Sequence, residues 1–325
     1  MSKRILVTGG SGFIGTNLVP HLAESNEVMA IDVHPPRDAS QLDFWRRVDL
    51  LDSERLSATV FEFKPDVVIH LGARTDLAGV DQSDYAANVQ GVRNVIAAVK
   101  GTSRPVHTIY ASSRLVFAID HQPRSDFDYR PSTPYGHSKV AGEQIVLQEA
   151  DGAGTWCIVR PTSIWGPWFG TPYRDFFDMV ASGRYVKFRG RDPLKSFGYV
   201  GNAVHELSAI AAASVSDTHR RVYWLSDYEP LLLSDWADLV SDELGRRRPG
   251  FAPWWLAQVA AGTGDMLQRI GVPKVPLTRF RLRNLVTTMV YDTTSTRELV
   301  GALPYDLRSG VERTVDWYRR YGRSG

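Results

Sequence analysis

The 325-residue chain is poor in several things, and each scarcity excludes a class of function. Its one cysteine, Cys157, sits inside the apolar run TWCIVRP, which excludes an internal disulfide and a thiolate-rich metal site. A buried, inert thiol is expected there. Net charge is nearly absent, since 38 Lys and Arg stand against 36 Asp and Glu, so no long-range field draws the chain to nucleic acid. The basic runs GRRRPG (245–250) and RFRLR (279–283) suit a small anionic ligand better than a polyanion. No apolar run approaches the roughly 20 residues that span a bilayer, and MSKRILVTGG enters a strand too early to hold a signal peptide. The expectation is a cytoplasmic protein without nucleic-acid partner, metal or stable membrane insertion. The segment APWWLAQVAAG (252–262) reads as an amphipathic helix, packed over a substrate cleft or touching a membrane surface.

What is present is an ordinary globular composition, 43% hydrophobic and 23% charged. Through the first half, short β-branched runs alternate with helix-length amphipathic segments: RILVT, then a helix from about Phe13, EVMAID, DVVIHL, a helix over 81–100, VHTIYAS, a helix over 135–150, and TWCIVR. That alternation predicts an α/β fold, a doubly wound parallel sheet with helices on both faces. After about Gly166 the rhythm breaks into a smaller, mixed lobe. The expected division is 1–165 with about 196–226 in the sheet domain, and about 166–195 with 227–325 in a substrate-binding lobe. A closing helix is expected near SGVERTVDWYRRYG, with Ser309 as its N-cap.

The stretch TGGSGFIG (8–15) lies between the first strand and the first helix. Its glycines let a backbone approach a pyrophosphate, and the helix start offers unpaired N–H groups and the positive dipole end. Two registers fit: Gly10, Gly12 and Gly15, or Gly9, Gly12 and Gly15. Asp32 closes the second strand seventeen positions beyond Gly15, near the spacing for a carboxylate on the adenosine ribose, which favours NAD over NADP. Arg37 keeps NADP open. Asp49, before Leu50 in VDLLD, is a candidate for the adenine edge or a turn former.

In PYGHSKVAGEQIV, Tyr135 and Lys139 are four apart on a predicted helix and leave the same face. A tyrosine is a poor base near neutrality, and an ammonium nearby stabilises its phenolate. The pair suits proton transfer to and from a hydroxyl.

With these motifs in this order, the chain resembles the extended short-chain dehydrogenase/reductase family, in particular the NAD-dependent nucleotide-sugar epimerases and dehydratases. Further features of the resemblance are HLGA (70–73), NVQG (88–91), YASSRLVF (110–117), RPTSIWGP (160–167) and KSFGYVGNAV (195–204). It implies a Rossmann fold, NAD bound around Gly9, Gly12, Phe13, Ile14, Gly15, Asp32, Asp49, Leu50, Leu71, Gly72, Ala73, Asn88, Tyr135, Lys139 and Pro161, and a homodimer through the helices at 81–100 and 135–150. In that family Tyr135 would be the base, Lys139 would bind the nicotinamide ribose and lower the tyrosine pKa, and Ser113 would hold the reacting sugar oxygen. The glycine register becomes Gly9, Gly12 and Gly15, with Gly10 secondary.

The expected activity is epimerisation of a nucleotide-activated sugar, most simply at C4, with net oxidoreduction on a keto-sugar or another alcohol as the alternative. Dehydratases of the family carry an acid after the serine or threonine, and this chain has Arg114-Leu115, which disfavours dehydration. A non-catalytic dinucleotide-binding protein is the remaining reading, and the intact Ser113, Tyr135 and Lys139 speak against it. The substrate half departs from the family's pattern: Ser163 replaces an asparagine, Trp165 a tyrosine, and Phe117 a sugar-facing tyrosine. Lys195, Arg281 and Arg283 are the candidates for a substrate diphosphate.

Overall fold

The computed structural model describes residues 2–272, 275 and 277–322. The chain divides into two compact units: residues 1–164, 198–227 and 292–304 form the first, and 165–197, 228–291 and 305–325 the second.

The first unit is built on seven parallel strands. In chain order these are β1 (Arg4–Thr8), β2 (Glu27–Asp32), β3 (Trp45–Arg47), β4 (Val67–His70), β5 (His107–Ala111), β6 (Thr155–Pro161) and a seventh strand, Val222–Leu225. Across the sheet they run seventh strand, β6, β5, β4, β1, β2, β3, and every pair is parallel. The strand order reverses direction between β1 and β4, and in such sheets ligands bind beyond the carboxyl ends at this switch point.

The strands are apolar on both faces because both are covered. Leu6, Val68, Tyr110, Trp156 and Ile158 point into one core, with residues of helices α2 (Ser53–Phe63), α3 (Ala86–Lys100) and α4 (Pro134–Glu149). Their neighbours Ile5, Val7, Val67, Ile69, Ile109, Cys157 and Val159 point into the other, with residues of α1 (Phe13–Ala23) and the helix Val200–Ala212. The two sets alternate with the period of two that a pleated strand imposes. Cys157 is fully buried there, and burial pushes its thiol pKa up, as fits an inert side chain.

Two expectations are corrected. Residues 292–304, expected in the substrate lobe, belong to the first unit: the Thr296 hydroxyl donates to the Trp224 carbonyl (2.9 Å) and Leu299 packs against the second core. The closing helix Leu307–Tyr321 is capped by Asp306, whose carboxylate accepts from the Ser309 N–H at 2.8 Å. Asp306 reaches the orphan amide of the first turn from the N-cap position, and Ser309 lies three residues inside.

In the second unit, helix Tyr173–Ala181 and helix Leu233–Glu243 meet through stacked Phe176 and Trp236, whose ring centroids are 4.2 Å apart. Helix Trp254–Arg269 buries Ala257 and Ala261 in a small cluster with Leu282 of helix Arg279–Val286. No described helix is long and apolar enough to cross a membrane.

Candidate active site

The glycine turn sits at the carboxyl end of β1. Gly9 has φ +71, and a Cβ there would lie 2.6 Å from the Gly72 amide nitrogen. Gly15 is equally constrained, since its Cβ would meet the Gly9 carbonyl oxygen at 2.4 Å. Gly12 occupies the N-cap of α1 and brings no side chain to cap it, so the first-turn amides of Phe13 and Ile14 open toward the switch point. Gly10 has a packing reason of its own: its Cβ would strike that of Ala30 on β2 at 2.6 Å, so close packing of turn on strand requires glycine here too. Both registers are therefore occupied for steric reasons.

At the end of β2, the Asp32 carboxylate accepts from the amides of Ser11 (3.2 Å) and His34 (3.1 Å). It is thereby locked beside the glycine turn. Arg37 donates from Nε to the Ser11 carbonyl (3.1 Å), and its charge interacts with Asp32. Asp49 is exposed and accepts from the Leu51 amide (2.9 Å), which is turn-forming geometry. Leu50 is buried, and its Cδ1 lies 2.7 Å from where a Gly72 Cβ would stand.

Beyond β4, residues Leu71, Gly72 and Ala73 run alongside the glycine turn. The Thr8 hydroxyl oxygen accepts from the Gly72 amide (3.1 Å) and lies 2.7 Å from Nδ1 of His70. Burial, with the charge of Lys139, pushes the His70 pKa down to about 3, so the ring is neutral. Asn88, on α3, accepts from the Arg74 amide (2.8 Å) and donates to the Arg74 carbonyl (3.0 Å) and the Ser138 hydroxyl (2.9 Å). It ties the loop after β4 to α4.

Helix α4 starts where Thr133 caps it, accepting from the Gly136 amide at 3.0 Å, with Pro134 in the first turn. This start puts Tyr135 and Lys139 one turn apart on a buried face, 6% and 7% exposed. A Cβ on Gly136 would meet the Leu115 carbonyl at 2.3 Å. Glycine thus admits the turn after β5, and the Ser113 side chain acts on Tyr135 to lower its pKa. The Lys139 ammonium donates to the Ala111 carbonyl (2.9 Å) and stands 6.0 Å from the centre of the tyrosine ring. Ser113, Tyr135 and Lys139 are thus brought together beside the carboxyl ends of β4 and β5.

Burial pushes the Tyr135 pKa up to about 12, against the Ser113 hydrogen bond and the Arg114 charge, which lower it. Burial also pulls Lys139 down to about 8, opposed by Glu143. Two cations thus stand by Tyr135: Lys139 over its ring, and Arg114, whose charge lowers its pKa. Arg114 is itself 8% exposed.

Behind Lys139 lies a pair that the sequence analysis missed. Arg160 on β6 donates from Nε and Nη2 to the two Glu143 oxygens (2.9 and 2.6 Å), and from Nη2 to the Asp126 carbonyl (2.7 Å). Tyr129 adds a hydroxyl to the same carboxylate at 2.7 Å. Burial disfavours the guanidinium, but Glu143, with Tyr129 and Asp126, outweighs it and leaves the Arg160 pKa raised. Phe117 is 1% exposed and stands 5.2 Å from this guanidinium, between Tyr129 and Trp224. It covers the ion pair and is no sugar-facing residue. Glu143 follows Lys139 by four on the same helix, and an arginine inside an otherwise apolar strand demands a counter-charge. Those two signals could have found the pair.

The expected substrate residues are placed less favourably. Pro161 ends β6, and Ser163 just beyond it is 5% exposed. Lys195 is 2% exposed, with its ammonium on the carbonyls of Asn284 and Thr287, which gives it a structural task where a diphosphate contact was expected. Arg281 donates to the Val275 carbonyl (2.9 Å), while Arg283 is exposed.

Comparison with known proteins agrees with this geometry. The model of the NAD dependent epimerase/dehydratase family matches residues 5–225. A curated relative, N-acetyl-alpha-D-glucosaminyl-diphospho-ditrans,octacis-undecaprenol 4-epimerase of Escherichia coli O157:H7, is 26% identical over 330 residues, spanning 98% of this chain and 96% of its own. The 3-beta-hydroxysteroid dehydrogenase of Mycolicibacterium neoaurum is 30% identical over 265 residues, 76% of this chain and 71% of the relative. Among solved structures, the UDP-glucose 4-epimerase of Thermotoga maritima with UDP-glucose superposes with TM-score 0.75 at 18% identity, covering 98% and 99% of the two chains. WbmG of Bordetella bronchiseptica, in complex with NAD and UDP, does so with TM-score 0.72 at 22% identity, covering 99% and 96%.

Proposed function

Since the chain belongs to the NAD dependent epimerase/dehydratase family, we propose that it epimerises a sugar carried on a diphosphate, at C4, with NAD as cofactor. The carrying observation is the buried Tyr135, acted on by Ser113 and one turn from Lys139, in a unit whose glycine turn has no room for a Cβ at Gly9, Gly10 or Gly15.

The residues fit the dinucleotide. The turn from Gly9 to Gly15 and the first amides of α1 would hold the pyrophosphate, Asp32 the adenosine ribose, and Lys139 the nicotinamide ribose. NAD supplies a hydride acceptor that becomes the donor in the return step. Ser113 would hold the sugar oxygen, and Tyr135 in its phenolate form, which Ser113 and the Arg114 charge favour, would take the hydroxyl proton as the C4 carbon is oxidised to a ketone. Tyr135 would give the proton back as the ketone is reduced on its other face, so that configuration inverts without net redox. Arg114 stands where expulsion of a neighbouring hydroxyl would need an acid, which argues against dehydration. Arg283 is the exposed candidate for the substrate's diphosphate.

The diphosphate carrier is a nucleotide or a polyprenol. The solved relative with UDP-glucose supports the first, and the full-length curated relative the second. Net oxidation of a hydrophobic alcohol is a second reading, favoured by the 30% identical hydroxysteroid dehydrogenase. The reading also includes a cytoplasmic homodimer through α3 and α4, tested by sedimentation velocity.

The test is incubation with UDP-, GDP- and dTDP-sugars and polyprenyl diphosphate-linked N-acetylglucosamine, following sugar proton resonances and NADH absorbance. New epimer signals without net NADH support epimerisation, and the productive arm identifies the carrier. No turnover in any arm, with turnover of a hydroxysteroid, replaces the first reading by the second.

A further inference from the structure

We infer that the outward face of helix Trp254–Arg269 is a docking surface for an anionic lipid bilayer. The helix packs through small residues. Ala257 and Ala261 are buried, and a Cβ on Gly264 would lie 1.8 Å from the Leu277 carbonyl oxygen. At 100° per residue these three share one side, and Trp255, Val259, Met266 and Ile270 fall together on the opposite side. Those four are 61%, 61%, 66% and 68% exposed. Phe251, just before the helix, is 58% exposed. A row of large apolar side chains turned away from the helix's own packing partners contributes nothing to the core and exposes an apolar patch to water.

Charge selects the occupant. Between Arg246 and Arg283 the sequence has eight Lys and Arg and one acid, Asp265, and Asp265 lies 3.6 Å from Arg279. Arg246, Arg247, Arg248, Arg269, Arg279 and Arg283 are all exposed. At the start of the helix, Arg189 and Arg191 lie against Phe251 (5.7 Å) and Trp254 (4.8 Å). The asymmetry extends over the whole second unit, which holds 19 Lys and Arg against 12 Asp and Glu, while the first holds 19 against 24. In a near-neutral chain, the net positive charge thus lies in the unit that carries this exposed apolar helix. An apolar stripe with a tryptophan, bordered by arginines, matches the acyl boundary and phosphate layer of an anionic membrane. Two copies of this chain meeting through this face would bring their arginines together, which works against self-association.

The test uses the full-length protein and sedimentable vesicles of phosphatidylcholine, with or without phosphatidylglycerol. Wild type is expected to pellet with the anionic vesicles and to be released by high salt. Val259→Asp and Met266→Asp should each lower the partition coefficient about tenfold or more, and Arg269→Glu should weaken it with the apolar stripe intact. These side chains are exposed, so circular dichroism and NAD affinity should stay at wild-type values and separate lost docking from lost fold. Quenching of Trp255 by brominated lipid, absent in Trp255→Phe, would support insertion of this face. Absence of wild-type binding to anionic vesicles overturns the inference, as does equal binding of wild type and Val259→Asp. A dimer that Val259→Asp abolishes, without vesicle binding, also overturns it and assigns the face to a second copy.

Discussion

Glu143→Gln probes stability and chemistry at once, because the carboxylate faces both Arg160 and Lys139. The Glu143 and Arg160 side chains are 2% and 0% exposed, and breaking a buried pair by removing one partner costs about 3–5 kcal/mol. The substituted amide keeps an oxygen that can accept from both Tyr129 and Arg160 Nη2, but it loses the acceptor for Arg160 Nε and leaves the cation without its nearest charge. The expected loss is therefore near the lower end, about 3 kcal/mol. Arg160→Met strands the carboxylate with Tyr129 as its only hydroxyl donor, and should cost nearer 5 kcal/mol. Combined, the two changes should cost less than their sum, because no uncompensated charge remains. The chemical effect has a definite sign. Glu143 raises the Lys139 pKa, which burial has already drawn down to about 8. Without that charge the ammonium deprotonates at still lower pH, and the alkaline limb of kcat/KM moves toward neutrality by about one unit or more. Urea unfolding followed by circular dichroism measures the first effect and a pH–rate profile the second. Stability within about 1 kcal/mol of wild type, together with an unmoved limb, would refute the reasoning.

Arg114→Leu removes the cation that lowers the Tyr135 pKa, so that pKa rises and the acidic limb of kcat/KM shifts to higher pH. Each unit costs about tenfold in rate below the limb, and an unmoved limb would exclude Arg114 from this task. His70 has a folded pKa of about 3 against an ordinary value of 6.5. The unfolded chain binds the extra proton between those values, so stability falls as pH drops through that window, by about 1.4 kcal/mol per unit. His70→Asn should flatten this acid dependence in Tm measured between neutral and acid pH. Asp32→Gly removes the carboxylate that repels a 2′-phosphate while Arg37 remains, and the ratio of NADP to NAD affinity should rise about tenfold or more, measured by cofactor titration.

The doubly wound sheet was legible because strands buried on both faces must be apolar throughout, and the first strands of the sheet read that way. β3 was not, since WRR has two exposed arginines and only three residues. Tyr135 and Lys139 could be paired by their spacing on one helix, whereas Ser113 was named only through the family resemblance. What spacing could not show was the second cation, Arg114, whose charge also acts on the phenol, since its place depends on the turn that Gly136 admits beside α4. Lys195 misled for a similar reason: a lysine near a family motif looks like a phosphate ligand until its ammonium is found on two carbonyls. The exposed stripe of helix 254–269 was ambiguous between packing and membrane contact, because a helical pattern does not say which face meets the protein.

The central claim is that a proton moves through Tyr135 while a hydride leaves and returns at one sugar carbon. The most direct measurement uses substrate deuterated at C4, with wild type and Tyr135→Phe, and follows the label in the product sugar and in released cofactor. The account predicts that wild type forms the epimer with deuterium retained at C4 and no labelled cofactor in solution, and that Tyr135→Phe loses about 10²–10⁴-fold in rate. Deuterium accumulating in free cofactor, label exchanged into solvent, or an unchanged rate in Tyr135→Phe would contradict it.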